Sequence, residues 1–585
     1  MHTQYIRYLQ SMNNANSSND NAIAESQFSN PFYEKIRVER KIGSYLIQKI
    51  KDKSSFIILT GHAGDGKTSL LHQILRQVDA IPAEEQLKEE DIVQNKVNGQ
   101  PLYYVKDMSE LVSDKQKNCI QKGLDTVNTG GSSIIVSNTG PLIEAFKNFY
   151  AESALDKDEI EMDILKLMDE NSFKEGFIGE ISVLVINLAL LDNTDIVPLL
   201  IDNLLNEELW IDSNTCELGS SCPVYNNYLT LKKHQEQFKR FAINYYRWLA
   251  DNDKRLTIRQ ILSHLSYAIT GNLQCHKLNI INRQTILFDY HISNLFFGYV
   301  GFTENEDALK IKSIAEIQKM KLDEKKLIFD QDLFVKENFD VLVEEVRTIT
   351  KNTWDYFMRR RLFNTEQLLY EKEPFLIRKA MRRMGILFAE MDEQQADHLF
   401  GILYSPIYPK YLSYRKNGMR IRSKRQLKEI VFKALQVLIM GDSSDVYSDS
   451  VLYLPLKRDG LNNQNVYLLV GKIDFDSLVV DTEQIENTIS DEPIYNIYMK
   501  FDRLSQNYLL PLPLLDYFYQ IANGSLSTKL NPVLSHGIHR LKAQLYKEYQ
   551  FTDGEEVIKL LIQTLQGPKI IDIELDPDNN KLYFD

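Results

Sequence analysis

At 585 residues with a net charge of -13, the chain is too long for one ordinary core, so about two to four domains are expected. The acidic balance argues against general coating of nucleic acid, although an acidic chain can still carry a basic face. Four cysteines exclude a disulfide framework and suit a reducing compartment. With no signal-peptide pattern and no apolar run of about 18 residues, a cytoplasmic protein that enters no membrane is expected.

Residues 1–13 are expected to hold a short helix, followed by a polar Asn/Ser linker from Asn13 to Asp20. Ser29 or Asn30 as cap and Pro31 in the first turn then predict a helix running to about residue 50. The apolar strand Phe56-Ile57-Ile58-Leu59-Thr60 feeds Gly61-His62-Ala63-Gly64-Asp65-Gly66-Lys67-Thr68, which fits G-x-x-x-x-G-K-[ST] at every position. An amphipathic helix leaves it through Ser69 and Leu70. In such a P-loop the glycines let successive backbone N–H groups converge on phosphate, and the helix N-terminus adds its positive dipole end. Lys67 would reach the β- and γ-phosphates of ATP, and Thr68 would offer a hydroxyl to Mg²⁺. The alternative is a glycine-rich turn that holds no ligand; both flanks weigh against it.

A Glu/Gln/Lys-rich stretch from Glu84 to Asn95 is expected to be exposed. The apolar run Leu102-Tyr103-Tyr104-Val105 then ends in Lys106-Asp107-Met108-Ser109-Glu110. A carboxylate closing a strand is what a Walker B element supplies, so Asp107 would hold Mg²⁺ through water and Glu110 would polarise the attacking water. An Asp capping a turn is the alternative. A helix is expected from Asp114 to Leu124, and the strand from Ser133 to Val136 closes on Asn138-Thr139-Gly140-Pro141, which also reads as a plain turn. An acidic helix over 155–172, a strand from Ile181 to Leu188, and helices over 195–210 and 234–249 follow. Thr257 is a predicted helix cap with Arg259 in the first turn and Arg255 just before it. Strands alternating with helices from 56 to about 190 predict a three-layer α/β core.

Cys216, Cys222 and Cys275-His276 offer thiols and an imidazole, but the spacing is wider than a zinc knuckle, and reduced thiols are expected; Cys119 is expected to be a core residue. Residues 352–433 carry 17 Lys and Arg against 9 Asp and Glu. The clusters are Arg359-Arg360-Arg361, Arg378-Lys379 with Arg382-Arg383, and Arg415-Lys416 with Arg420, Arg422, Lys424 and Arg425, interleaved with Tyr408, Tyr411 and Tyr414. Such a region could bind DNA or RNA by phosphate contact and stacking, or an acidic protein surface. Strands return from about residue 445, with hairpins around residues 459–463 and 576–580, a strand over 495–501, and helices over 514–522 and 534–549.

The helix before the loop strand, the polar Asn138 strand end and the helix-capped Arg259 resemble AAA+ and STAND-type NTPases. The resemblance implies that Asn138 is a sensor for the hydrolytic water, that Arg259, with Arg255 behind it, is a lid sensor of the phosphates, and that the segment before the loop touches the base. Together with Asp107-Met108-Ser109-Glu110, Cys222-Pro223-x-x-Asn226 and Leu256-Thr257-Ile258-Arg259, the loop resembles the DptF-like family, DNA phosphorothioation-dependent restriction ATPases of bacterial anti-phage defence. The resemblance covers about residues 30–275. The family's loop ends in Gly-Lys-Ser where this chain has Gly66-Lys67-Thr68.

The expected organisation is an N-terminal helix and linker (1–30), a P-loop NTPase core (31–205), a helical lid (206–275), a helical basic region (276–440) and a small α+β domain (441–585). What it implies is a Mg²⁺-dependent ATPase that powers or gates a restriction complex with other subunits, singly or as a homo-oligomer. The alternative is a nucleotide-dependent assembly switch with little hydrolysis.

Overall fold

A computed structural model describes residues 4–13, 30–82, 85–151, 156–170, 173–211, 221–273, 285–363, 373–441, 450–456, 466–485, 492–525, 529–551, 557–564, 567–576 and 581–584. The remainder of the linker expected to begin at Asn13 lies outside them, as do Cys216 and Cys275. The chain divides into two compact units, one up to Gln395 and one from Ala396 onward. The division falls inside the 276–440 region.

In the first unit, helices α1 (Gln4–Ser11), α2 (Pro31–Ile36) and α3 (Lys41–Asp52) precede strand β1 (Phe56–Thr60), which leads to helix α4 (Lys67–Gln77). Strands β2 (Glu90–Gln94), β3 (Pro101–Val105), β4 (Ser132–Val136), β5 (Gly176–Ile178) and β6 (Ile181–Asn187) complete a six-stranded sheet of order β2-β3-β4-β1-β6-β5. Strands β3, β4, β1 and β6 are parallel, and β2 and β5 are antiparallel edges. Every residue of β1 and β4 is buried, which is why these strands read as largely apolar runs without alternation: helices cover both faces of a parallel sheet. Phe56 and Ile58 pack with Ile135 of β4 and with Ile120, Leu142, Phe146 and Ile164, from helices α5 (Ser113–Asn128), α6 (Thr139–Phe149) and α7 (Lys157–Glu170). Alternation leaves Ile57 and Leu59 for the opposite face, where α4 lies. This is a mixed α/β core.

The helix predicted from 31 to about 50 is broken. Residues 37–40 are extended, and Gln73 of α4 takes the place of a helical turn: its side-chain oxygen accepts the Arg40 backbone N–H at 2.9 Å and its nitrogen donates to the Arg40 carbonyl at 3.1 Å. Gly43 makes room for that amide, since a Cβ there would sit 2.4 Å from the Gln73 nitrogen. The helix predicted over 195–210 is likewise two pieces, α8 (Val197–Leu204) and α9 (Glu207–Trp210), with Asn206 capping the second. The stretch expected to be exposed over 84–95 supplies β2.

Helices α10 (Pro223–Lys233), α11 (Gln235–Asp251) and α12 (Ile258–Thr270) follow. Thr257 caps α12 in a full capping box with Gln260. Helix α1 is tied to this region by Asn13 and Asn272, whose side-chain amides exchange hydrogen bonds at 2.7 and 2.8 Å. His264 and His291 are fully buried. The Phe296 carbonyl can only accept, so His264 carries its proton on Nε2, and Nδ1 accepts from the Tyr246 hydroxyl at 2.9 Å. Burial pushes the two imidazoles down to about 4 and about 3. In the unfolded chain they would protonate near about 6.5, so the unfolded state binds more protons over that interval. Stability from this source is therefore complete above about pH 6.5 and should fall by about 1.4 kcal/mol per pH unit per histidine on acidification toward pH 4. Urea midpoints at pH 7.5 and 5 check this, and His264→Gln should flatten the dependence.

Much of the basic region is internally paired. Arg382 forks onto Asp330, Lys379 meets Glu324 at 3.1 Å, and Arg383 is buried against Asp323. In the second unit, helices Tyr408–Asn417, Ile421–Met440, Leu512–Ala522 and Pro532–Glu548 accompany a five-stranded and a three-stranded sheet. Its strands Val451–Leu456 and Val466–Asp474 pair as the predicted hairpin, and Gly567–Asp576 pairs with Lys581–Phe584. Tyr408, Tyr411 and Tyr414 are buried, with Arg415 5.9 Å from the Tyr411 ring centre, so these rings pack within the fold and do not offer an open face for stacking bases. Lys416, Lys424 and Arg425 face Glu492, Asp481 and Glu429; the side chains of Arg359, Arg360 and Arg361 lie outside the described residues. Among the described residues no helix is long and apolar enough to cross a membrane.

Candidate functional site

The site grows from the end of β1. Gly61, Gly64 and Gly66 have φ of 144°, 89° and 82°, backbone that a Cβ would strain. Gly64 is needed for a second reason, because an added Cβ would meet Thr257 Oγ1 at 3.0 Å and Arg259 Cβ at 3.2 Å. The start of α12 is thus laid directly on the loop, with the Arg259 N–H donating to the Gly64 carbonyl at 3.4 Å.

Lys67 opens α4 and is buried. Its Nζ donates to the Gly61 carbonyl at 2.9 Å, the His62 carbonyl at 3.1 Å and Asn138 Oδ1 at 2.8 Å. Burial lowers its pKa, opposed by the charges of Asp107 and Asp65. Asp107 caps the short 3-10 turn Met108–Glu110 by accepting the Ser109 N–H at 2.9 Å. Ser109 Oγ accepts the Asn138 N–H at 2.8 Å. The ends of β3 and β4 are thereby cross-linked, and because β4 lies between β1 and β3, Asn138 stands between Lys67 and Asp107. Asn138 precedes α6 at the cap position without capping it through its side chain, and that side chain accepts from Lys67 instead.

A cavity of about 360 Å³ opens here. Ala63, Gly64, Gly66, Lys67, Thr68 and Ser69 form its floor, and Asp107, Glu110, Asn138 and Arg259 line it from three other segments. Its remaining wall is the 37–40 segment with Tyr33, His72 and Gln73, and the apolar Met12, Ile36, Ile196, Leu200 and Leu262. Gly61, His62 and Asp65 are not on the cavity wall. Glu110 is exposed, and among the described residues its carboxylate has no hydrogen-bond or ion-pair partner. Arg259 is half-buried, its pKa lowered by desolvation, and among the described residues its guanidinium has no carboxylate partner. Arg255 points elsewhere, into the underside of the loop.

Sequence reasoning missed Arg40, Gln73 and the loop side of Arg255. A signal for the last existed: a carboxylate at Asp65, inside a loop suited to phosphate, requires a buried cation. Arg40 is 8% exposed, donates Nη1 to the Asp65 carbonyl at 3.1 Å, and burial beside Arg255 brings its pKa down to about 10. Cys119 and Cys222 are buried thiols, and among the described residues no group of His, Cys, Asp or Glu is placed to hold a metal by itself. The chain matches no family model, no curated protein and no solved structure.

Proposed function

We propose that this cavity binds Mg·ATP and that the chain hydrolyses it, powering or gating a bacterial DNA-restriction or anti-phage complex. The observation that carries the nucleotide assignment is the convergence of the loop, the β3 end, the β4 end and the α12 start on one cavity. The donor set fits the ligand. Three left-handed glycines and a helix N-terminus suit phosphate, Lys67 and Arg259 supply cations, and the apolar wall suits a base. The volume lies in the range of about 300–1,000 Å³ usual for small-molecule sites. Thr68 and Asp107 would hold Mg²⁺, which neutralises charge on the transferred phosphate. Lys67 would exchange its carbonyl partners for phosphate oxygens, and Asn138 and Glu110 would orient water. The strand order, with β4 between the loop strand and the Asp107 strand, supports a P-loop NTPase core. The defence role draws its support from the resemblance of residues 30–275.

A steady-state ATPase assay with and without DNA tests the proposal. Asp107→Ala should abolish the Mg²⁺ dependence of turnover. Glu110→Gln should bind nucleotide normally but turn over about 10²- to 10⁴-fold more slowly, as loss of a general base predicts. The unpartnered, exposed Glu110 favours one second reading, a nucleotide-dependent switch. Nucleotide binding by the parent with little or no turnover would support that reading, whereas equal, measurable turnover by Glu110→Gln and its parent would place the base elsewhere.

A further inference from the structure

Asp65 is the one residue of the loop whose side chain has no place in phosphate binding: a carboxylate among amides that face an anion would repel it. It is fully buried. One oxygen accepts the His62 N–H at 2.9 Å, and the other accepts Arg255 Nη1 at 2.8 Å. The rest of the Arg255 guanidinium is committed as well, Nε to the Leu191 carbonyl at 2.9 Å and Nη2 to the Leu188 carbonyl at 2.8 Å. Leu188 follows β6 directly, and Arg255 lies two residues before the Thr257 cap of α12. One guanidinium therefore ties together the loop, the end of β6 and the start of α12.

We infer that Arg255 is a positioning residue that, through Asp65, latches the start of α12 onto the 61–66 loop and holds that loop in its phosphate-binding conformation before nucleotide arrives. This rests on the nucleotide assignment above and gives it a regulatory element. The geometry separates the two arginines of this segment: Arg255 is used up in fixing the loop, and Arg259, one helical turn on, is left to face the cavity. Any partner that lifts α12 must break the Asp65 pair, and loop order is lost with it. Nucleotide affinity is thereby coupled to whatever contacts the helical segment.

The test uses the full chain and two readouts. Without nucleotide, amide hydrogen exchange over residues 61–66 should be at least about tenfold faster in Arg255→Gln than in the parent, because the Asp65 carboxylate that accepts the His62 N–H loses its anchor. Arg255→Gln and Asp65→Asn should each weaken Mg·ATP binding by about a hundredfold, the scale of a misplaced binding loop. The double variant should be no worse than either single, as for two residues acting as one unit. Circular dichroism checks folding. If Arg255→Gln fails to fold, Arg255→Lys keeps a cation at Asp65 but cannot bond both carbonyls, and about a tenfold loss is expected. Unchanged exchange over 61–66 overturns the inference, as does affinity within twofold of the parent while Lys67→Ala has lost binding. If Lys67→Ala also binds like the parent, the nucleotide assignment is what fails, and exchange without ligand still decides the latch.

Discussion

Lys67→Ala is expected to cut Mg·ATP turnover by about 10²- to 10³-fold, the cost of removing one preorganised charge from a transition state. The ammonium is held by two loop carbonyls and Asn138, so it is poised at the mouth of the loop rather than waving in solvent. Removing it leaves phosphate charge facing only backbone dipoles, and it also releases the Asn138 side chain. Desolvation lowers the Lys67 pKa, and Asp107 and Asp65 counter that fall and favour the charged form. Nucleotide binding should weaken together with turnover. Stopped turnover with unimpaired folding supports the assignment; unchanged affinity and turnover contradict it.

Arg383→Ala should be among the most destabilising single changes in the unit up to Gln395. Arg383 is 1% exposed. It pairs with Asp323 at 2.7 Å, donates to Asn294 Oδ1 and the Gly301 carbonyl, and lies 4.0 Å from the Tyr299 ring centre. Truncation leaves Asp323, itself buried, without a counter-charge, a loss of about 3–5 kcal/mol. Arg383→Met with Asp323→Asn should recover much of it, because neither charge is then stranded. Urea unfolding of the three proteins provides the check. A nucleic-acid role for this arginine would instead leave stability unchanged and shift the salt dependence of binding.

The elements most legible from sequence were those whose residues need no distant partner. Phe56–Thr60 and Ser132–Val136 are buried on both faces, and the consecutive apolar residues Phe56 to Leu59 and Ile134 to Val136 say so. Thr257 and Gln260 announce a helix start through local capping. The loop was legible for the same reason, since its glycines set their own backbone. What escaped depended on partners far along the chain. The break at 37–40 is made by Gln73, and the helical period of the segment gives no hint of it. Asp65 signals in sequence that a cation is needed, but not that the cation is Arg255, 190 positions away. Arg382 and Arg383 counted as free basic charge in the sequence, yet Asp330 and Asp323 neutralise them in the fold. Charge composition records the number of cations and is silent on which are already paired.

The assignment of the cavity is tested most directly by amide hydrogen exchange of the parent chain with and without millimolar Mg·ATP. Slowed exchange is predicted over residues 61–72, at 107–110 and 138, and along the 37–40 wall, with the second unit unaffected. Exchange that is unchanged at all of these positions, or slowed only elsewhere, would contradict nucleotide binding at the 61–68 loop.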